Sequence, residues 1–470
     1  MRILFTTPPL SNEARYGSLS GGGSSAPSLG ILMLAAVARQ EGFDCSVIEA
    51  SALGLTEDQL LQRISILRPD VVCISSTTLA ISSAGSLAKS VKLMLPETIT
   101  VIGGPHVTAV PRETLERFPS LDIAVVGEGE QTLAELLAAL KNTTGLADVA
   151  GLVFRDNDDL RDTGRRPLIS DLDSLPTPAW DLLEDFPQRY LPAPNKVRSM
   201  PAANLVTSRG CPNSCIFCDR SVFGTSCHGY SAGYIVNQII ELHQRYGIRE
   251  ISFEDDTFIT FKKRLTEICN RLIELKLGIS WTCLGRVNHV TPENLALMRR
   301  AGCWQISYGI ESGSQQILDT VNKGVTLDQV RRAVRLSREA GIRSKGFFII
   351  GHPGETRETL AMTRDFALEL PLDDISISLM TPFPGSEIYE RAAEFGSLDA
   401  NWSSMSLLNA VFVPHGLTRG ELESAQRELF KRFYFRPRIV ADYAVRLVQN
   451  PGMISAYWNG FRSLVSHKSG

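Results

Sequence analysis

Twice along this chain of 470 residues, short apolar runs alternate with longer stretches of helical period, and that alternation decides the fold class. In the first block, residues 2–6, 45–48, 70–75, 98–102 and 123–126 read as strands, separated by helical patterns at 29–40, 58–67, 84–94 and 132–140. In the second, strands at 203–207, 250–253, 280–284, 305–309, 345–350 and 375–379 alternate with helical patterns at 234–246, 263–275, 292–301, 327–340 and 357–369. Strands joined through helices pair in parallel, and the helices cover the faces of the sheet. The expected fold is therefore α/β. Residues 1–147 form a doubly wound, Rossmann-like parallel sheet, and residues 201–393 a partial (βα)6 barrel of the TIM type. Residues 148–200 read as a connector. It opens with a hairpin of 151–154 and 165–168 around a polar turn at 157–159, and then carries Pro176 and Pro178, which block regular structure. Residues 394–470 read as a small helical C-terminal region.

Both architectures bind ligands at the carboxyl ends of their parallel strands. In the first block those ends read Ser75-Ser76-Thr77-Thr78, Gly103-Gly104-Pro105-His106 and Gly127-Glu128-Gly129-Glu130. Glycines and small hydroxyl residues let backbone approach a large flat or phosphate-bearing ligand. In the second block the ends are Glu254-Asp255-Asp256, Arg286, Gly309-Ile310-Glu311, Gly351-His352 and Thr381. A carboxylate such as Glu311 can hold ribose hydroxyls or an ammonium, and Arg286 can pair with a carboxylate. Asp255 and Asp256 also suit a helix cap, and Arg286 a surface position. Directly after the first strand of this block stands SRGCPNSCIFCDR, which places Cys211, Cys215 and Cys218 in a C-x3-C-x2-C array. Nine cysteines scattered at random would produce such an array roughly 0.003 times in a chain of this length. Three thiolates on one loop can hold three corners of a four-iron cluster and leave the fourth iron open. The alternative is a structural zinc site with Cys227 or His228 as fourth ligand. The remaining cysteines sit in apolar or helical contexts and read as small buried hydrophobes.

The array, with Phe217 before its last cysteine, resembles the signature of the radical S-adenosylmethionine (SAM) enzymes. The resemblance implies a [4Fe-4S] cluster on Cys211, Cys215 and Cys218. Its open iron would chelate SAM, which one electron cleaves to a 5′-deoxyadenosyl radical. That radical abstracts hydrogen from an unactivated carbon. The GIESGS, NKGVT and FFIIGHPGET runs resemble runs that recur together in the cobalamin-domain radical SAM family, and the strand-end groups are similar to the SAM-binding elements of such barrels. They imply cofactor contacts from Phe217, Glu254, Asp255, Arg286, Gly309, Glu311, Gly351 and Thr381. The GGPHVTA and VVGEGEQT runs resemble the cobalamin-binding domain found ahead of many radical SAM cores. They imply cobalamin over Ser75, Ser76, Thr77, Gly103, Gly104, His106, Gly127, Glu128 and Gly129. No D-x-H-x-x-G run is present to supply a lower axial histidine, and the turn position of His106 favours a loop-shaping role.

The resemblance covers about residues 1–395. It implies C-methylation of a small-molecule substrate, with an electron donor such as flavodoxin or ferredoxin. The rival chemistry is a radical cyclisation, dehydration or rearrangement of a tetrapyrrole, terpenoid lipid or sugar. A non-catalytic metal or cobalamin sensor is the rival of another class.

A net charge of −3 argues against general nucleic-acid binding, which needs clustered Lys and Arg. The strand-like start, MRILFTTPPL, predicts no signal peptide, and no apolar stretch approaches the roughly 18–20 residues that span a bilayer. A reducing cytoplasm is the expected location, and an exposed cluster would need protection from oxygen. The basic, aromatic run RELFKRFYFRPR is expected to pack on the barrel; closing the site, docking a substrate or touching an anionic membrane are its other uses.

Overall fold

The structure, a computed structural model, describes residues 1–157 and 159–449. The tail beyond 449, and Asp158 of the expected turn, lie outside the described residues. Seven strands form the first sheet in the order β2-β1-β3-β4-β5-β6-β7: β1 Arg2–Thr7, β2 Asp44–Glu49, β3 Val71–Ser75, β4 Ile99–Gly103, β5 Ile123–Val125, β6 Leu152–Asp156 and β7 Asp159–Asp162. The first five are parallel and the last two antiparallel. Strand direction alternates side chains between faces. Ile3 and Phe5 therefore enter one apolar core, and Leu4 enters the other. The chain order reverses between β1 and β3, where such sheets open a crevice above the strand ends.

The hairpin differs from expectation. Its second strand is 159–162 instead of 165–168, and it extends the first sheet past residue 147. Asp156 pairs with Asp159, so the loop has two residues. Such loops need positive φ, and Asn157 supplies it at 56°.

The second sheet is a half-barrel of six parallel strands: Ala202–Leu205, Glu250–Phe253, Ser280–Gly285, Cys303–Glu311, Arg343–Ile350 and Asp374–Leu379. An open sheet leaves backbone groups unpaired at its edge. The tail satisfies those of the sixth strand. Tyr434 Oη donates to the Ile375 carbonyl at 2.9 Å, Gln426 Nε2 to that of Ile377 at 2.9 Å, and the Leu379 N–H to that of Leu407 at 2.7 Å. Tyr434 and Gln426 belong to the helix Arg419–Tyr434, which starts at a capping box of Thr418 and Glu421 and buries Phe430 and Phe433. The basic, aromatic run thus packs on the barrel edge.

The two sheets share one contiguous core, running from Ile3 through Trp180 of the connector to Phe253 and Phe433. The tail also reaches back to the first domain. Trp402 is buried in the other core, edge-on to His106 at 4.4 Å and beneath the Arg117 guanidinium at 4.6 Å. Among the described residues no helix is long and apolar enough to cross a membrane.

Candidate active site

The cysteine loop leaves the first barrel strand and is closed at its base by a two-residue antiparallel pair, Ser208–Arg209 with His228–Gly229. Gly210 turns the chain at φ 79°, where a Cβ would strike the Ser226 carbonyl at 2.2 Å. Asp255 holds the approach to this turn. Its carboxylate accepts from the Thr207 N–H, from Thr207 Oγ1 at 2.7 Å and from Ser208 Oγ. Asp255 is 1% exposed, and its carboxylate braces the entry to the loop.

Two cations and one amide face the thiols. Asn213 Nδ2 donates to Cys211 Sγ at 3.1 Å, and Arg286 Nη1 lies 3.8 Å from Cys215 Sγ. The Cys218 thiol donates to Cys215, and with Lys323 and Arg286 nearby the Cys215 thiol is drawn down to about 6 against the cost of burial. The same partnership pushes the Cys218 thiol up. Arg286 is buried; Nη2 donates to the Lys323 carbonyl, while Nε has no partner and remains a free donor. It is no surface residue.

At the end of the fourth strand a bulge between Gly309 and Glu311 re-aims the chain, and Glu311 takes φ 68°. Unlike Arg68, Thr143 and Lys276, whose positive φ ends a helix, Glu311 takes it at a bulge on a barrel strand. Glu311 pairs with Lys323 Nζ at 2.6 Å, both nearly buried, and Lys323 Nζ stands 5.8 Å from the centre of the Phe217 ring. Gly309 makes room for this pair: a Cβ there would sit 2.5 Å from Glu311 Oε1 and 2.8 Å from Lys323 Nζ. On the next strand Gly351, at φ 94°, and His352 both donate backbone N–H groups to Glu355 Oε2, at 2.5 and 3.0 Å. The His352 ring lies 5.8 Å from Phe217, fully buried with both nitrogens unpartnered, and burial drives it down to about 3. Thr381 turns inward and donates to the Leu379 and Ser406 carbonyls, each at 3.2 Å. That commits the single hydroxyl proton to the strand end and leaves the oxygen's acceptor lone pairs free.

A cavity of about 390 Å³ lies between the strand ends of the first sheet and the foot of the cysteine loop. Ser75, Gly103, Gly104, Gly127, Glu128 and Gly129 line it from one side. Leu205, Val206, Arg209, Gly210, Glu254 and Asp256 line it from the other. Gly127, at φ 84°, has nothing within 4 Å of a Cβ, whereas a Cβ on Gly104 would strike the Ser76 carbonyl at 2.5 Å. Glu254 is paired with Lys196 Nζ at 2.8 Å, and burial raises the Asp256 carboxyl.

Three expected contacts fall outside this cavity. Ser76 is buried with its hydroxyl on the Thr77 carbonyl, and Thr77 is exposed ahead of a short 3-10 turn. His106 points away, to Thr78 Oγ1 at 3.1 Å and to Trp402, and burial lowers it to about 4.

A family model for the radical SAM superfamily matches residues 205–367, and one for the B12 binding domain matches residues 22–137. An uncharacterized methyltransferase of Pyrococcus horikoshii is 36% identical over 442 residues, 94% of either chain. The chain belongs to the radical SAM superfamily. It carries the B12-binding domain ahead of the radical SAM core. The anaerobic magnesium-protoporphyrin IX monomethyl ester cyclase of Rubrivivax gelatinosus is 30% identical over 92% of this chain and 77% of its own. The structure of OxsB, a cobalamin-dependent S-adenosylmethionine radical enzyme, superposes with a TM-score of 0.74 at 20% identity, over 97% of this chain and 72% of that one.

The residues of this radical SAM core fit the cluster. A four-iron cluster takes one thiolate per corner, which suits three cysteines on one loop. His228, proposed as a fourth zinc ligand, turns Nε2 to Glu128 at 3.4 Å. Sequence reasoning missed Lys323, Arg209 and Lys196. Lys323 lies in the NKGVT run, but nothing in that run signals burial, and only the fold brings it onto Glu311.

Proposed function

We propose that this radical SAM enzyme methylates an unactivated carbon of a small-molecule substrate with cobalamin as methyl carrier. When bound, the cluster and SAM supply a 5′-deoxyadenosyl radical, and cobalamin supplies the methyl group. Overall, one substrate C–H, two SAM and two electrons become the methylated substrate, 5′-deoxyadenosine, methionine and S-adenosylhomocysteine. The electrons come from a low-potential donor such as flavodoxin or ferredoxin.

The observation that carries this reading is the cavity shared by the strand ends of the B12-binding domain and the foot of the cysteine loop. The chain's residues divide the work. Cys211, Cys215 and Cys218 hold the cluster, with Asn213 and Arg286 donating toward their sulfurs. The Arg286 guanidinium is the candidate partner of the SAM carboxylate, and the Glu311 carboxylate that of the ribose hydroxyls or the ammonium. Gly103, Gly104 and Gly127 present bare backbone to the corrin. Phe217 and the buried His352 pack beside the Cys215 end of the loop, while Cys218 stays exposed.

Product analysis tests the reading. Methylation adds one CH2 unit and yields S-adenosylhomocysteine beside 5′-deoxyadenosine. A cyclase, the chemistry named for the Rubrivivax relative, yields 5′-deoxyadenosine without S-adenosylhomocysteine. If S-adenosylhomocysteine is absent while 5′-deoxyadenosine forms with substrate, the methyl-transfer reading fails.

A further inference from the structure

One carboxylate of the B12-binding domain grips both stems of the cysteine loop. Glu128, in the turn after β5, accepts from Arg209 Nη1 at 2.6 Å on Oε1, and His228 Nε2 lies 3.4 Å from the same oxygen. Arg209 leads into the loop and His228 leaves it. The other Glu128 oxygen accepts the Ile169 N–H of the connector at 2.6 Å. Glu130 takes Arg209 Nη2 at 2.5 Å, and the Tyr230 hydroxyl lies 3.3 Å from that nitrogen. The side chains are 13% exposed at Arg209, 3% at Glu128 and 8% at Glu130.

Buried ion pairs give little net stability over apolar residues of like volume. A buried arginine fork on two carboxylates fixes geometry instead. Here it fixes two particular pieces of backbone. The 127–129 turn lines the cavity between the domains, and Arg209 stands two residues before Cys211. Among the described residues no other charged pair in the cavity wall joins the two domains: Glu254 pairs with Lys196 of the connector.

We propose that Arg209, Glu128 and Glu130 are positioning residues that set the separation between the corrin and the cluster. The inference rests on the reading that both cofactors bind. It adds that their spacing is held by a charged clamp, not by the apolar core alone.

The test uses full-length chain loaded anaerobically with iron, sulfide and hydroxocobalamin, then reduced. In the native chain the paramagnetic cluster speeds the electron-spin relaxation of cob(II)alamin. Arg209→Lys keeps the charge but cannot fork to both carboxylates. The triple variant Arg209→Met with Glu128→Gln and Glu130→Gln removes every charge and leaves none unpaired. Both are expected to retain native iron and cobalt contents while the relaxation enhancement falls about twofold or more, as a displacement near 1 Å would produce. Native enhancement in both loaded variants overturns the proposal. So does loss of a metal with native enhancement in the fraction still loaded, since that describes a clamp that only supports folding. A native chain that takes up no cobalt instead removes the underlying reading of the cofactors.

Discussion

Replacing Gly309 with alanine tests by its sign whether the Glu311–Lys323 pair organises the site. Gly309 lies inside the fourth barrel strand without positive φ, so its backbone accepts alanine. On propensity alone the change gains about 0.5–1 kcal/mol. The new Cβ, however, lands 2.5 Å from Glu311 Oε1 and 2.8 Å from Lys323 Nζ, inside van der Waals contact with both. Both atoms end flexible side chains, so the pair must shift although neither partner is lost, and both members are nearly buried. Straining a buried pair costs less than the about 3–5 kcal/mol of deleting one partner, so the net expectation is a loss of up to about 2 kcal/mol. Denaturant titration of the apoprotein, followed by the fluorescence of the buried barrel residues Trp281 and Trp304, measures it. SAM affinity of the reconstituted enzyme is the second readout and should weaken about tenfold or more. Placing the same alanine in a chain already carrying Glu311→Gln and Lys323→Met should recover most of the stability cost, because no charge pair is left to strain. A variant as stable as its parent, with unchanged SAM affinity, would refute the role given to the pair.

Three further outcomes follow from the packing. Burial pushes the Glu355 carboxyl up to about 7, above the ordinary carboxyl range, so the folded state holds a proton that the unfolded state releases. Stability on this account falls as pH rises from about 4.5 to 7, and Glu355→Gln, which keeps an acceptor for Gly351 and His352, should gain on its parent by up to about 3 kcal/mol between pH 5 and pH 8. Glu49 and Glu250, also raised to about 7 by burial, contribute the same slope to both proteins and cancel in the difference. Trp402→Ala removes the ring that packs on His106 and Arg117 and should cost about 3–5 kcal/mol, with the segment around residues 399–411 becoming the first site of limited proteolysis. Tyr434→Phe removes the hydroxyl whose one proton is shared between Asp374 at 2.5 Å and the Ile375 carbonyl at 2.9 Å, and should cost about 1–3 kcal/mol by denaturant titration without changing metal content.

Both sheets were legible because each strand is an apolar run bounded by a helix of clear period, and period is a local property. The cysteine array was legible for the same reason: its three ligands and Phe217 lie within eight residues. What the sequence hid is what depends on direction. Ser76, His106, Asp255 and Thr381 sit at strand ends as expected, yet each turns its polar atoms into the protein. A strand end has two faces, and the one a side chain takes is set by neighbours distant in the chain, such as Trp402 for His106. The hairpin was misjudged because Arg165 to Leu168 has the same mixed polarity as Asp159 to Asp162, and only the positive φ of Asn157 closes the tighter turn. Buried charge pairs, Glu311 with Lys323 and Arg209 with Glu128, are tertiary by nature and leave no periodic trace.

The central claim is that the loop of Cys211, Cys215 and Cys218 holds an iron–sulfur cluster that delivers one electron to SAM. Its direct test is 5′-deoxyadenosine formed on addition of SAM and dithionite to anaerobically reconstituted protein, with Cys215→Ala alongside. The account predicts iron and sulfide in the native chain, 5′-deoxyadenosine from it, and none from the variant. Zinc in place of iron, or undiminished 5′-deoxyadenosine from Cys215→Ala, would contradict it.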